Sequence, residues 1–230
     1  MRQERRSSIG PRLHWRDPQS GDAGRLTVSR VLDCCGVVLA GGRSRRMGRD
    51  KAGLPLPGGE HFLQRAVALL RGLPLAQVLI SGNRPGGIPD PVPGMGPVGG
   101  LYGTACAVDS GALLVIPVDM PLLHGELLAQ LLAAGQRSGR ASYFGDFYFP
   151  LWLPLDTGVR EFLDAAVRKR GPNSIGALLR QCGAQRLAIP GTAQCFANIN
   201  TPAEYAAHVQ PEYGAQARGH LSTIRARNIL

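Results

Sequence analysis

Lysine is nearly missing from this chain: of 26 basic residues only Lys51 and Lys169 are lysine, and the rest are arginine. Lys51 therefore marks a place where a compact ammonium is wanted instead of a planar fork, and neutralising phosphate charge is one such need. Acidic residues are also scarce, 16 in 230 positions, which leaves a formal net charge of +10. Much of that excess is terminal. Residues 1–30 carry seven Arg against three acids, and residues 211–230 three Arg against one. With no long basic helix and no basic sheet motif studded with aromatics, specific nucleic-acid binding is not expected. Long apolar runs are absent too. The longest, such as 111–118, fall far short of the roughly 20 residues that a membrane span needs. The Arg-rich N-terminus lacks the apolar stretch of a signal peptide, and Glu4, Asp17 and Asp22 argue against a transit peptide, so the expected location is cytoplasmic. The five cysteines are odd in number and contain no C-x-x-C pair. This argues against structural zinc and against a disulfide framework and favours small residues filling a reduced core. The five histidines (14, 61, 124, 208, 220) show no ligand spacing, and none is assigned a role.

What is present centres on residues 36–52. Val37, Val38 and Leu39 follow Gly36 as a short buried run, read as a parallel strand. Ala40, Gly41 and Gly42 close it with a turn of minimal bulk, over which backbone N–H groups can approach a phosphate. Arg43, Arg45, Arg46, Arg49 and Lys51 then place five cations within nine residues, with Asp50 the one acid among them. The alternative is a solvated basic loop. The glycine spacing matches neither G-x-x-x-x-G-K-[ST] nor G-x-G-x-x-G, so neither a Walker-type loop nor a dinucleotide cofactor is indicated.

Further along, residues 60–71 carry an apolar stripe (Phe62, Leu63, Ala66, Val67, Leu70) at helical spacing, and Gly72 and Pro74 end it. A second strand over 76–80 completes a right-handed βαβ unit and brings Ser81 and Asn83 to the carboxyl edge of the sheet. The Pro- and Gly-rich stretch 85–100 reads as a shaped loop leading into a helix over 101–108, whose N-terminus suits an anion. Asp90, the only acid in that loop, reads by itself as an Asp-Pro turn residue. A third strand, 112–118, ends at Asp119, placed either to hold a divalent cation or to cap the helix that follows. A helix over 122–134, aromatic hairpin strands within 141–155 around Gly145-Asp146, helices over 159–169 and 174–182 and a strand near 185–189 come next. Asn198 and Asn200 alternate on one side of an extended segment before a helix over 203–208 with Thr201 as N-cap and Pro202 at its first position. The expected fold class is α/β: a Rossmann-like three-layer α/β/α sandwich on a mostly parallel sheet. One domain over 33–210 is flanked by a basic extension, 1–32, and a basic tail, 211–230.

Four segments in order resemble one family, the molybdenum cofactor guanylyltransferases within the wider class of nucleotidyltransferases. They are Leu-Ala-Gly-Gly-x-Ser-x-Arg-Met-Gly-x-Asp-Lys at 39–51, Gly-Pro-x-Gly-Gly-Leu at 96–101, Val-Asp-Met-Pro at 118–121 and Asn-x-Asn-Thr-Pro at 198–202. The resemblance spans roughly residues 35–209. It implies GTP as donor, magnesium as cofactor, and molybdopterin carrying molybdenum as acceptor. Cofactor-handling and molybdoenzyme-maturation proteins are implied as partners. It further implies that the Leu39-Ala40-Gly41-Gly42 turn and Lys51 bind GTP, and that Ser81 and Asp90 contact its nucleoside part. Asp119 would bind both GTP and magnesium, and Asn198 and Asn200 would serve the pterin. Relatives often carry Asn where this chain has Ser81.

The expected reaction is nucleotidyl transfer, with Asp119, Lys51 and Arg46 as the catalytic groups: Arg46 and Lys51 neutralise the departing pyrophosphate and Asp119 holds the metal. The nearest rival is the CTP-using sister activity, whose members resemble this chain but usually read Leu-Ala-Ala-Gly in the first segment, so Gly41 favours guanine. A GTP-binding regulator or adaptor without catalysis is a rival of a different class.

Overall fold

The computed structural model describes residues 33–41 and 50–209. Gly42 and Arg46, two of the expected site residues, and both basic terminal segments lie outside them.

The apolar runs form the strands that their composition predicts. β1 (Cys34–Leu39) is flanked in parallel by β2 (Val78–Ser81) and β3 (Ala112–Pro117), in register from Leu39↔Ser81 on one side to Leu39↔Pro117 on the other. Beyond β3 lie β5 (Phe147–Pro154), β4 (Ser142–Phe144) and β6 (Gln185–Leu187), giving the sheet order β2-β1-β3-β5-β4-β6. Only β5 runs against the others: it pairs antiparallel with both β3 and β4, and β6 pairs parallel with β4. Because β5 is reversed, its first residues share an edge with the last residues of β1, β2 and β3. β1 feeds β2 on one side, and the chain then crosses back to β3 on the other, so the strand order reverses beside β1. Open α/β sheets bind ligands in the crevice such a reversal creates.

Side chains alternate between two cores. Val38, Leu114, Ile116 and Trp152 face α1 (Phe62–Arg71) and α3 (Gly125–Ser138), while Val37, Leu113, Val115 and Leu151 face α2 (Gly96–Ala107), α4 (Thr157–Val167) and α5 (Ile175–Gln181). The last helix, α6 (Pro202–Val209), adds Val209 and Tyr205 to the first core. The result is the expected three-layer sandwich. Among the described residues no helix is long and apolar enough to cross a membrane.

Two expectations change. The segment 96–100, read as loop, is the first part of α2. Glycine costs about 1 kcal/mol per position in a helix relative to alanine, but close packing decides here: a methyl group on Gly100 would stand 2.5 Å from Ser81 Oγ, and one on Gly103 3.0 Å from Pro91 Cδ. Pro97 in the first turn gives up an N–H that has no helical partner anyway. Asp119 does not cap α3 either; His124 does, its Nδ1 accepting from Leu127 N at 3.4 Å. His61 starts α1, and its backbone N–H donates to Gln64 Oε1 at 2.8 Å. Two histidines without an expected role thus begin helices. The cysteines are free, and burial pushes the Cys34 thiol up to about 12, as befits an unreactive core residue.

Candidate active site

The cleft opens along the carboxyl edge of β1, β2 and β3 and has a volume of about 1830 Å³. A pocket for one drug-sized ligand measures about 300–1,000 Å³, so there is room for two reactants side by side. Leu39, Ala40, Gly41, Lys51, Ser81, Asp90 and Asp119 line it together with Asn198 and Asn200. Every expected site residue within the described segments therefore reaches one cleft.

The floor is two turns pressed together. Ala40 N donates to Ser81 O at 2.8 Å, and Gly82, with φ of +143°, leaves so little room that a methyl group there would stand 2.9 Å from Gly41 N. Only glycine combines that φ with that approach. Ser81 is buried under Gly100 of α2. Asp90 lies between the same elements: a methyl group on Gly41 would be 3.6 Å from Asp90 Oδ2, and one on Gly100 3.6 Å from Oδ1. Asp90 Oδ1 is buried and has no hydrogen-bond partner among the described residues. Loss of water pushes its carboxyl above the ordinary carboxylate value. An unsatisfied buried acceptor is costly to the fold, and such groups gather where ligands supply the missing donor.

Lys51 joins the carboxylate beyond β3 to the asparagine segment. Its Nζ donates to Asp119 Oδ2 at 3.1 Å and to Asn200 Oδ1. The ion pair is only 15% and 22% exposed at its two side chains. Lys51 sits on a short 3-10 turn, Lys51–Gly53, that is capped by Asp50, whose Oδ1 accepts from Ala52 N at 3.1 Å. Asp119 stands two residues beyond the end of β3, and its carbonyl accepts from Ile199 N at 2.8 Å. That backbone bond lays the Asn198–Asn200 segment against the sheet edge. Ile199 points into the core and leaves both asparagines on the cleft side. Glu204 Oε2 accepts from the backbone of Asn200 (2.7 Å) and Thr201 (2.9 Å), while Thr201 Oγ1 accepts from Glu204 N at 3.2 Å. The expected N-cap at Thr201 is thus present, and it shapes the turn that presents Asn200.

Several cleft residues were given no site role by the sequence reading: Arg84, Tyr148, Phe149, Asn173 and Arg180. Tyr148 is 48% exposed, the one large exposed hydrophobic among the described residues. Beside it Phe147 stacks on Phe196 with ring centroids 4.5 Å apart. The density of aromatics around residue 147 was visible, but only the reversed course of β5 turns them toward the cleft.

Among the described residues no three His, Cys, Asp or Glu side chains come together as a preformed metal cage. Asp119 offers a partly exposed carboxylate just beyond β3. That suits a cation such as magnesium, which commonly takes one or two carboxylates and completes its shell with water and substrate phosphates.

Comparison with known proteins agrees with this geometry. The family model described as MobA-like NTP transferase domain matches residues 36–187. A molybdenum cofactor guanylyltransferase of Xanthomonas euvesicatoria is 43% identical over 175 residues, 74% of this chain and 91% of that protein. Among solved structures, molybdopterin-guanine dinucleotide biosynthesis protein A of Archaeoglobus fulgidus superposes with a TM-score of 0.64 at 20% identity, covering 76% of this chain and 97% of that one. A Mycobacterium tuberculosis protein solved in complex with manganese superposes with a TM-score of 0.55 at 17% identity, covering 78% and 99%. A cleft at the strand reversal, a small-residue turn after β1 and a match running from that turn through β6 lead to one assignment: the chain belongs to the MobA-like nucleotidyltransferase family and is a nucleotidyltransferase.

Proposed function

We propose that the protein transfers GMP from GTP to molybdopterin carrying molybdenum, forming the guanine dinucleotide form of the cofactor and releasing pyrophosphate. The observation that carries the guanine half is Asp90. Guanine presents two adjacent donors, N1–H and N2–H, where cytosine presents the acceptors N3 and O2. A half-buried carboxylate whose Oδ1 lacks a donor fits the first edge and repels the second. Gly41 lies beside that carboxylate: a methyl group there would stand 3.6 Å from Oδ2, in ordinary van der Waals contact. The name carried by the Xanthomonas relative supports the same reading.

Molybdopterin's terminal phosphate oxygen attacks the α-phosphorus in line, a new P–O bond forms, and the bond to the β-phosphate oxygen breaks to release pyrophosphate. The protein positions and neutralises; it forms no covalent bond. Leu39, Ala40 and Gly41 lay their backbone along the nucleotide, Ser81 and Asp90 hold the nucleoside, and Lys51 neutralises charge on the phosphates, joined in this reading by Gly42 and Arg46. Asn198 and Asn200 hold the pterin, and because Lys51 touches Asn200, the donor and acceptor subsites share a wall. Magnesium, held by Asp119 and the substrate phosphates, would supply charge neutralisation at the reacting phosphate.

The deciding experiment is pyrophosphate release with molybdopterin and either GTP or CTP. GTP should be preferred by at least about 10²-fold in kcat/KM, a floor below the roughly 10⁴–10⁵ by which a site that must pair its buried polar groups rejects the wrong ligand. Equal rates, or preference for CTP, would overturn the guanine assignment. Asp90→Asn should raise KM for GTP about 10- to 100-fold with a smaller change in kcat, since hydrogen bonds to charged groups contribute about 1.5–3 kcal/mol. The pH dependence follows from the raised carboxyl. GTP needs the charged form, so KM should climb on acidification at a higher pH than an ordinary carboxylate would require. For stability the sign is opposite: a group whose folded-state value is raised favours folding below its unfolded value, and that contribution disappears as pH rises through the folded one.

A further inference from the structure

Arg84 takes no part in the scheme above, yet it sits where the two ends of the phosphate site meet. Its Nη2 donates to Ala40 O at 2.8 Å, immediately after β1, and lies 3.3 and 3.4 Å from the two carboxylate oxygens of Asp50. Asp50 in turn caps the 3-10 turn that carries Lys51, and Lys51 reaches Asp119. These contacts make a continuous path from the end of one central strand, through Arg84, Asp50 and Lys51, to the carboxylate beyond the next strand.

The arginine is itself well anchored. Arg84 N donates to Gly82 O at 2.9 Å, Gly87 N to Arg84 O at 2.9 Å and Gly82 N to Ile88 O at 2.8 Å. Gly82 is pressed on the backbone of Gly41, so the turn that bears Arg84 and the turn that ends β1 form one unit. Arg84 is 18% exposed at its side chain, whereas Asp50 is 61% exposed. The buried, anchored partner therefore sets the geometry and the exposed one follows. A three-residue 3-10 turn has little rigidity of its own, so the placement of Lys51 depends on what holds its cap. One nitrogen, Nη2, meets both the carbonyl and the carboxylate; its N–H groups are fixed in the guanidinium plane, whereas a lysine ammonium sits on a stem one bond shorter and more flexible and would not reach the same point.

We propose that Arg84 is a positioning residue for the triphosphate subsite: by tying Ala40 O to Asp50 it holds Lys51 at the height from which the ammonium meets phosphate, and it acts through Lys51 rather than on the substrate. This rests on the reading of the cleft as a nucleotide triphosphate site. It does not depend on which base or acceptor is used.

The test uses the full chain and a probe without base or acceptor, inorganic tripolyphosphate with magnesium, titrated calorimetrically into the unaltered protein, Arg84→Ala, Arg84→Lys, Lys51→Ala and the double variant Arg84→Ala/Lys51→Ala. Kinetics with GTP and molybdopterin run in parallel. Arg84→Ala and Arg84→Lys should each weaken tripolyphosphate binding by about 10-fold or more. In the Lys51→Ala background the Arg84→Ala change should cost under about 3-fold, since coupled neighbours are strongly non-additive. A general structural role or a direct phosphate contact would instead leave the Arg84→Ala loss undiminished when Lys51 is gone, and that result overturns the proposal. So would wild-type affinity in Arg84→Lys, or no affinity for tripolyphosphate in the unaltered chain. If Arg84→Ala does not fold, the same cycle is read with Arg84→Lys. Absence of GMP transfer in the unaltered chain together with tripolyphosphate binding that follows the predicted cycle would sink the guanylyltransferase reading and leave the role of Arg84 standing.

Discussion

Asp119→Ala is expected to lower turnover by about 10³-fold while the melting temperature stays close to that of the unaltered protein. The two halves of this result come from different atoms of the same residue. The fold depends on Asp119 through its backbone: its carbonyl holds Ile199 N at 2.8 Å, and alanine keeps that bond. The side chain contributes one partly exposed ion pair with Lys51, and pairs of that kind are worth about 0–1 kcal/mol. Lys51 also keeps Asn200 as a partner after the change. In the proposed mechanism the chemistry, by contrast, has no substitute for the carboxylate, because Asp119 is the acid that would hold magnesium beside the reacting phosphate. Removing one well-aimed electrostatic group from such a site costs about 10²–10³ in kcat, and losing the anchor of a metal belongs at the upper end. Pyrophosphate release measures the loss, and the paramagnetic signal of free Mn²⁺ reports the weakened metal binding without reference to turnover. Activity within tenfold of the unaltered protein would remove Asp119 from the mechanism.

Gly135→Ala should have the largest effect on stability. Gly135 lies inside α3, where alanine would ordinarily help by about 1 kcal/mol. Here a methyl group would come closer than 3.0 Å to three atoms of the Trp152 indole, a separation that real Cβ atoms essentially never show. Trp152 is fully buried on β5, against α3, in the first core. A rigid bicyclic ring in a close-packed interior cannot yield without moving the strand. Overpacking of this kind costs about 1–3 kcal/mol and occasionally more, so the net effect is a loss despite the gain in helix propensity. Thermal or urea unfolding checks the direction. A smaller residue at position 152 should lessen the penalty: Gly135→Ala should cost much less in a Trp152→Leu background than alone. Equal costs in the two backgrounds would mean that the indole is not what excludes the methyl group.

The sequence was most legible where structure is local. β1 and β3 are continuous apolar runs, and β2 and its neighbours are punctuated by Gly and Pro, so strand positions and the cleft edge they create could be read directly. The stripe Phe62, Ala66, Leu70 likewise announced α1, and those three residues are the buried face of that helix. The start of α2 was less legible, because a Gly-Pro-rich segment has poor helix propensity and becomes helical only through its fit against Ser81 and Pro91. The histidines at helix starts were missed because a capping role depends on where the next helix begins, and spacing alone does not reveal it.

By itself, then, the sequence determined the α/β class, the order of elements and the small-residue turn after β1, since these follow from periodicity and backbone freedom over a few residues. It also singled out Lys51, Asp90, Asp119 and the asparagine pair as candidates. Only the tertiary structure decided that Lys51 meets Asp119 and Asn200, partners 68 and 149 positions away. The same holds for Arg84 joining Ala40 to Asp50 and for the reversed β5 bringing Tyr148 and Phe149 to the cleft. The physical reason is that such meetings are set by strand order and strand direction, through pairings and packing between distant segments. No local spacing in the chain encodes them.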